Sequence, residues 1–156
     1  MRILTLNVNG LRSAAQKGVF PWLAKQKADV VCLQEIRATE EQLAGPEFQL
    51  RGYTRVLLPA QRKGYSGVAI YAKRAPDELA RGFGVAEFDD EGRYLEARFG
   101  EVSVVSLYLP SGSSSEERQA SKYRFLDAFL PHMKKLTKKK RHFVLCGEIG
   151  RVSCRE

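Results

Sequence analysis

Asp29-Val30-Val31-Cys32-Leu33-Gln34-Glu35 is a continuous apolar run closed by an acid. Apolar side chains on both parities describe a strand covered on both faces, as in the sheets of α/β proteins. Ile3 to Val8 is a second such run, ended by the turn signal Asn9-Gly10. Between them Val19 to Lys27 has helical spacing, with Phe20, Leu23 and Ala24 inward and Pro21 near its start. Strand, helix and strand make a βαβ-like unit.

Downstream, Thr39-Glu40-Glu41-Gln42 has capping-box spacing and predicts a helix that stops before Gly45-Pro46. The pattern then turns to strands: Tyr53 to Leu58, Val68 to Lys73, Val85 to Phe88, Tyr94 to Phe99 and Val102 to Tyr108. Asp89-Asp90-Glu91-Gly92 and Gly100-Glu101 read as hairpin turns. Ser114 and Glu117 form another capping box. The helix it opens carries Tyr123, Leu126, Phe129, Leu130 and Met133 at helical spacing, and Pro131 should kink or end it. His142 to Cys146 is the last apolar strand. The fold class is α/β with parallel and antiparallel strand pairs.

The 156 residues suit one domain, 1–156, with a hydrophobic core. A net charge of +8 points to an anionic partner, nucleic acid or a membrane surface, before a small neutral substrate. Six of the positive residues lie between Lys134 and Arg141, a run that fits either a solvated helix end or a phosphate contact. Cys32, Cys146 and Cys154 form no CxxC pair and no zinc spacing, which suits a reducing compartment, the cytoplasm. No apolar stretch is long enough to span a bilayer, and the residues after Met1 do not read as a signal peptide.

Four polar residues share one context. Asn7, Glu35, Tyr108 and Glu148 each stand at the carboxyl end of an apolar strand, just before turn residues. Ligands of α/β sheets bind beyond the carboxyl ends of strands, so strands running in one direction would bring these groups together. Glu35 is a hard oxygen ligand of the kind Mg²⁺ takes, and Asn7 could orient it. Tyr108 could hydrogen-bond a phosphate oxygen, and Glu148 could accept a proton from an attacking water. Each also has a plainer reading. Asn7 and Glu148 fit turn residues, Glu35 a surface acid, Tyr108 a rim aromatic, and Gly64-Tyr65-Ser66-Gly67 a hairpin turn. His132 and His142 flank the basic run and read as surface residues.

Together the ordered segments are similar to the exonuclease III family of AP endonucleases, within the endonuclease–exonuclease–phosphatase superfamily. They are Leu6-Asn7-Val8-Asn9-Gly10-Leu11-Arg12, Cys32-Leu33-Gln34-Glu35 and Lys63-Gly64-Tyr65-Ser66-Gly67-Val68-Ala69. Ser106-Leu107-Tyr108-Leu109-Pro110-Ser111-Gly112 and Val144-Leu145-Cys146-Gly147-Glu148 complete the set. The resemblance implies a four-layered α/β sandwich, incomplete at its C-terminal side. It implies Mg²⁺- or Mn²⁺-dependent hydrolysis of duplex DNA at abasic sites and 3′ ends. Under it Glu35 binds the metal with Asn7 in support, and Tyr108 and Glu148 are catalytic. Arg12, Lys63, Tyr65 and Ser66 contact nucleic acid.

Departures from the family pattern set further expectations. The family has Asp where Glu148 stands and Asn where Gly150 stands, and its later Asp and closing Asp-His pair have no counterpart here. Residues 149–156 form an atypical tail. Most of the second sheet should therefore be missing, leaving an apolar face that makes the chain fold poorly alone or need a partner, although the sequence shows no obligate protein partner. Three alternatives accompany the nuclease reading: a non-catalytic nucleic-acid-binding protein of the same fold, a phosphatase of the superfamily and a non-functional fragment.

Overall fold

The computed structural model describes residues 1–111 and 115–148. Strand β1 (Ile3–Asn7) leads through α1 (Leu11–Gln16) and α2 (Val19–Gln26) to β2 (Val30–Gln34). After two 3-10 turns come β3 (Thr54–Leu58) and β4 (Val68–Ala72). These four strands form one sheet in the order β1-β2-β4-β3, with β1 and β2 parallel and the other pairs antiparallel. Next follow β5 (Glu78–Arg81), α3 (Ala86–Asp89), β6 (Tyr94–Phe99), β7 (Val102–Tyr108), α4 (Glu116–Leu136) and β8 (His142–Glu148). The second sheet is ordered β5-β6-β7-β8, and its parallel pair is β7 with β8.

Period-two alternation divides the apolar side chains among three layers. Val31 and Leu33 of β2 face α1 and α2, where Leu11, Phe20 and Leu23 meet Ala69 and Tyr71 of β4. Val30 and Cys32 point the other way and pack with Val68 and Ile70 against Leu95, Ala97, Val104 and Cys146 of the second sheet. The far face of that sheet carries Tyr94, Val105 and Leu107 beneath Phe125 and Phe129 of α4. Helices, sheet, sheet and helix make four layers, as the resemblance implies. Cys32 and Cys146 are free thiols inside the sandwich, and the contact with Cys146 together with burial pushes the Cys32 thiol well up. Among the described residues no helix is long and apolar enough to cross a membrane.

Several expectations are corrected. The second sheet is not mostly absent: four strands of it pack face to face on the first. Val85 to Phe88 is not a strand. The Asp89 carboxylate accepts from the N–H groups of Phe83, Gly84 and Val85 and folds the segment into α3, so Asp89 to Gly92 is no hairpin turn. Strand β5 was missed because its Glu-Leu-Ala-Arg sequence lacks an apolar run. Thr39 and Gln42 make both capping-box contacts, yet only a 3-10 turn follows before Gly45-Pro46 stops it. The short helix α1 follows Asn9-Gly10 where a simple turn was expected.

Helix α4 departs most from expectation. Its observed N-cap is Ser115, whose side chain accepts from the Arg118 N–H; Ser114 lies outside the described residues. Pro131 neither kinks nor ends it, because that residue faces solvent and water can serve the freed carbonyl while buried neighbours hold the helix down. The buried face is Phe125, Phe129 and Leu136, whereas Tyr123, Leu126 and Leu130 are exposed. His132 is not a surface residue, since its ring packs against Phe83, Tyr94 and Phe129. Burial there pushes its imidazole pKa below the usual histidine value. Arg141 turns inward to the buried Glu96, which also accepts from Tyr94 and Ser103.

The phase of α4 is testable by denaturation in urea. Phe125→Ala, at a fully buried position, should lower stability by about 3–5 kcal/mol. Tyr123→Ala should change it by no more than about 0.5 kcal/mol.

Candidate active site at the sheet ends

The two parallel pairs decide where the site lies. Asn7 is paired with Gln34 at the end of β1 and β2, and Tyr108 with Glu148 at the end of β7 and β8. All four strands therefore deliver their carboxyl ends to one end of the sandwich. A buried polar chain fixes the sheets in relative register: Thr5 Oγ1 donates to Gln34 Oε1 at 3.2 Å, and Gln34 Nε2 donates to Ser106 Oγ at 3.0 Å.

The loops at this end are tied by their backbones. Gly10 N–H donates to the Glu35 carbonyl at 2.7 Å, Ile36 N–H to that of Gly67 at 3.1 Å, and Arg37 N–H to that of Ser66 at 2.9 Å. Asn9, Glu35, Arg37 and Ser66 all have positive φ. Non-glycine residues in this region cost of order 1–3 kcal/mol each and persist only where surroundings over-determine them. Gly67, at φ 82°, passes so close to Ile36 that a Cβ would stand 2.7 Å from its Cγ1.

Glu35 is buried and surrounded by donors. Its Oε1 accepts from Asn7 Nδ2 at 3.0 Å and from the Tyr108 hydroxyl at 2.5 Å, and its Oε2 pairs with Arg37. Burial pushes the carboxyl pKa up, but the Tyr108, Asn7 and Arg37 contacts outweigh it and leave the net value below the usual range. Burial, and then the bond to Glu35, pushes the Tyr108 phenol above its usual value, so it stays protonated near neutrality. Asn7 Nδ2 also donates to Glu148, which is exposed at the rim. One amide thus holds two carboxylates, while Asn7 Oδ1 accepts from Asn9 N–H at 2.9 Å.

Beside the carboxylates lies a hollow of about 280 Å³ lined by Arg37, Tyr65, Arg93, Tyr108 and Arg118. Arg93 is only 2% exposed. It donates to the Tyr65 hydroxyl at 2.8 Å and the Tyr108 carbonyl at 3.0 Å, and its guanidinium lies 5.6 and 5.0 Å from the two ring centres. A second hollow of about 420 Å³, with Arg12, Gln16 and Arg37, shares Gly64 and Arg37 with the first.

The structure brings together Asn7, Glu35, Tyr108 and Glu148, and sets Tyr65 and Arg12 in the adjoining hollows. Lys63 is exposed beside Gly64. Ser66 is corrected: it is 2% exposed, so it shapes the loop from beneath and cannot present its side chain to nucleic acid. Arg37, Arg93 and Arg118 were missed. Arg93 follows a turn and Arg118 a helix cap, and only a phosphate-binding expectation for those loops would have singled them out. The basic run from Lys134 ends at the opposite end of β8, roughly 20 Å from the site at ~3.3 Å per residue. Gly150 and the tail lie outside the described residues.

Comparison with known proteins supplies the family. Residues 4–147 match the Endonuclease/Exonuclease/phosphatase family. The chain belongs to it. Among relatives of this family member, an exodeoxyribonuclease of Bacillus subtilis is 34% identical over 151 residues, 96% of this chain and 58% of that protein. A DNA-(apurinic or apyrimidinic site) endonuclease of Dictyostelium discoideum is 28% identical over 96% of this chain and 42% of its own length. The solved AP endonuclease of Archaeoglobus fulgidus superposes with a TM-score of 0.81 at 29% identity, over 96% of this chain and 57% of that one. The chain thus spans about half the length of the curated relatives it matches.

Two measurements test this geometry. Tyr108→Phe removes a donor and should move the Glu35 carboxyl pKa upward in a ¹³C NMR titration; an unmoved value would sink the assignment. A carboxyl lowered in the native state adds stability above its ordinary value, about 4.3, that is lost as pH falls through the lowered one. Glu35→Gln should therefore flatten the acid side of the stability profile, read by urea denaturation at successive pH values.

Proposed function

We propose that this chain carries the first half of the site of a metal-dependent DNA phosphodiesterase. The observation that supports it most is the meeting of Asn7 and Tyr108, from opposite sheets, on one oxygen of Glu35 beside an arginine-lined hollow.

The donor set fits a Mg²⁺ or Mn²⁺ ion. Two carboxylates share one amide hydrogen-bond donor, and hard cations of this kind take one or two protein carboxylates, water and substrate phosphate. Glu35 and Glu148 would hold the ion, with Asn7 orienting both. When bound, it would neutralise charge on the phosphate and favour ionisation of a nearby water.

The chain's own groups do the rest. Arg93 and Arg37 present fixed positive charge to a phosphodiester in the hollow, and Arg12 extends the basic surface beyond it. Protonated Tyr108 donates a hydrogen bond to a phosphate oxygen. Glu148, exposed at the rim, accepts the proton of the attacking water as its oxygen bonds to phosphorus and a sugar oxygen leaves. Duplex DNA with abasic sites or 3′ ends is the substrate class we assign.

A second reading, binding without hydrolysis, is favoured by the cationic hollow, which recognises phosphate independently of the carboxylates. One assay separates the two. A fluorescent duplex containing an abasic-site analogue is incubated with the chain and Mg²⁺, beside a chelator control and Glu35→Ala. The nuclease reading expects cleavage that the chelator abolishes and Glu35→Ala reduces by about 100-fold or more. Salt-sensitive binding with no cleavage above the Glu35→Ala control would replace it with the second reading.

A further inference from the structure

Among the described residues, the second sheet ends at β5 on one side and at β8 on the other. The β5 edge is short, exposed along its length and charged at Glu78 and Arg81, as native proteins blunt an edge. The β8 edge has no such protection. Its sequence His-Phe-Val-Leu-Cys-Gly-Glu contains no lysine, arginine or proline, and its register with β7 is unbroken. His142 N–H donates to the Glu101 carbonyl at 2.8 Å, and the Glu148 carbonyl accepts from Leu109 N–H at 3.4 Å. Even-numbered residues therefore spend their backbone groups on β7, and those of Phe143, Leu145 and Gly147 point outward.

Apolar side chains flank this edge. Leu145 is 37% exposed on the outer face. On α4, Tyr123, Leu126 and Leu130 are exposed on the flank opposite Arg124, which pairs with Glu87 on the segment between β5 and β6. That opposition turns the three toward the β8 side.

We propose that β8 is a self-association edge whose occupant is a second copy of this chain, the two β8 strands pairing antiparallel about a two-fold axis at Leu145. The strand is complementary to itself in that register. Leu145 opposes Leu145 and Phe143 opposes Gly147 as hydrogen-bonded pairs made by the outward groups, the ring covering bare backbone. Val144 opposes Cys146, and His142 opposes Glu148, an imidazole against a carboxylate. The same axis brings together the two β1 edges, because β1 lies against β8. The chain spans 58% of the Bacillus subtilis relative, so a second copy supplies a comparable length of chain on the flank where both sheets stop.

Each copy carries a net charge of +8, so association should strengthen with salt. Nucleic-acid binding weakens with salt, which separates the two behaviours. Sedimentation equilibrium of the full chain, from about 1 to about 100 µM, should show a monomer–dimer equilibrium that high salt shifts to dimer. Leu145→Lys should return it to monomer with unchanged far-UV circular dichroism, and Leu79→Lys on β5 should not. Should Leu145→Lys misfold, cross-linking decides. In a Cys154→Ser background, Leu145→Cys should form a disulfide dimer on mild oxidation, since hydrogen-bonded antiparallel partners stand about 5.5 Å apart at Cα. Leu79→Cys should not. A folded monomer at every concentration and salt overturns the proposal, as does equal cross-linking at both positions or association only with a longer chain. No readout uses activity, so failure here leaves the nuclease reading untouched.

Discussion

The hydrogen bond from the Tyr108 hydroxyl to Glu35 Oε1 joins the last residue of a strand in one sheet to the residue following a strand in the other. It can form only if β2 and β7 point the same way and the sheets pack without a register slip. A one-residue slip in either would turn its polar end to the opposite face. The Thr5–Gln34–Ser106 chain holds that register from inside the sandwich, a few residues below the site. Asn7 makes the second crossing, between Glu35 and Glu148. The carboxylates are therefore where they are because of sheet packing, and the loops above them close around a position already set.

Much of this was legible in the residues. The runs Ile3 to Val8 and Asp29 to Glu35 gave both central strands to within a residue or two, because strands covered on both faces leave an unambiguous apolar signature. The idea that strand ends converge rested on parallel direction alone, and both parallel pairs exist. Where reading failed, tertiary contacts overrode local pattern. Strand β5 is held by pairing with β6 rather than by its own apolar content. The Phe83–Val85 segment obeys the Asp89 carboxylate rather than its own strand propensity. Helix α4 shows a subtler failure: two apolar stripes share it, and the sequence does not say which one the sheet selects.

The arginines of the site were the least legible. Arg93 carries charge yet is almost wholly buried, which a composition-based reading assigns to solvent. Its burial is tolerable because Glu91, Tyr65 and the Tyr108 carbonyl satisfy the guanidinium and two aromatic rings flank it. Those partners come from separate segments, so no spacing along the chain announces them. The same contacts fix both tyrosines to one rigid group, which gives the hollow a defined shape before any phosphate arrives.

Left-handed backbone at Asn9, Glu35, Arg37 and Ser66 also sets a limit on how this protein can be improved. Glycine at any of the four would relax the chain locally and loosen the loops that present the carboxylate. Stabilising changes drawn from local conformational preference would thus be found preferentially where they erode the site. Robustness to heat and fitness for chemistry pull against each other at this one end of the sandwich, while the opposite end is free to accumulate stabilising substitutions.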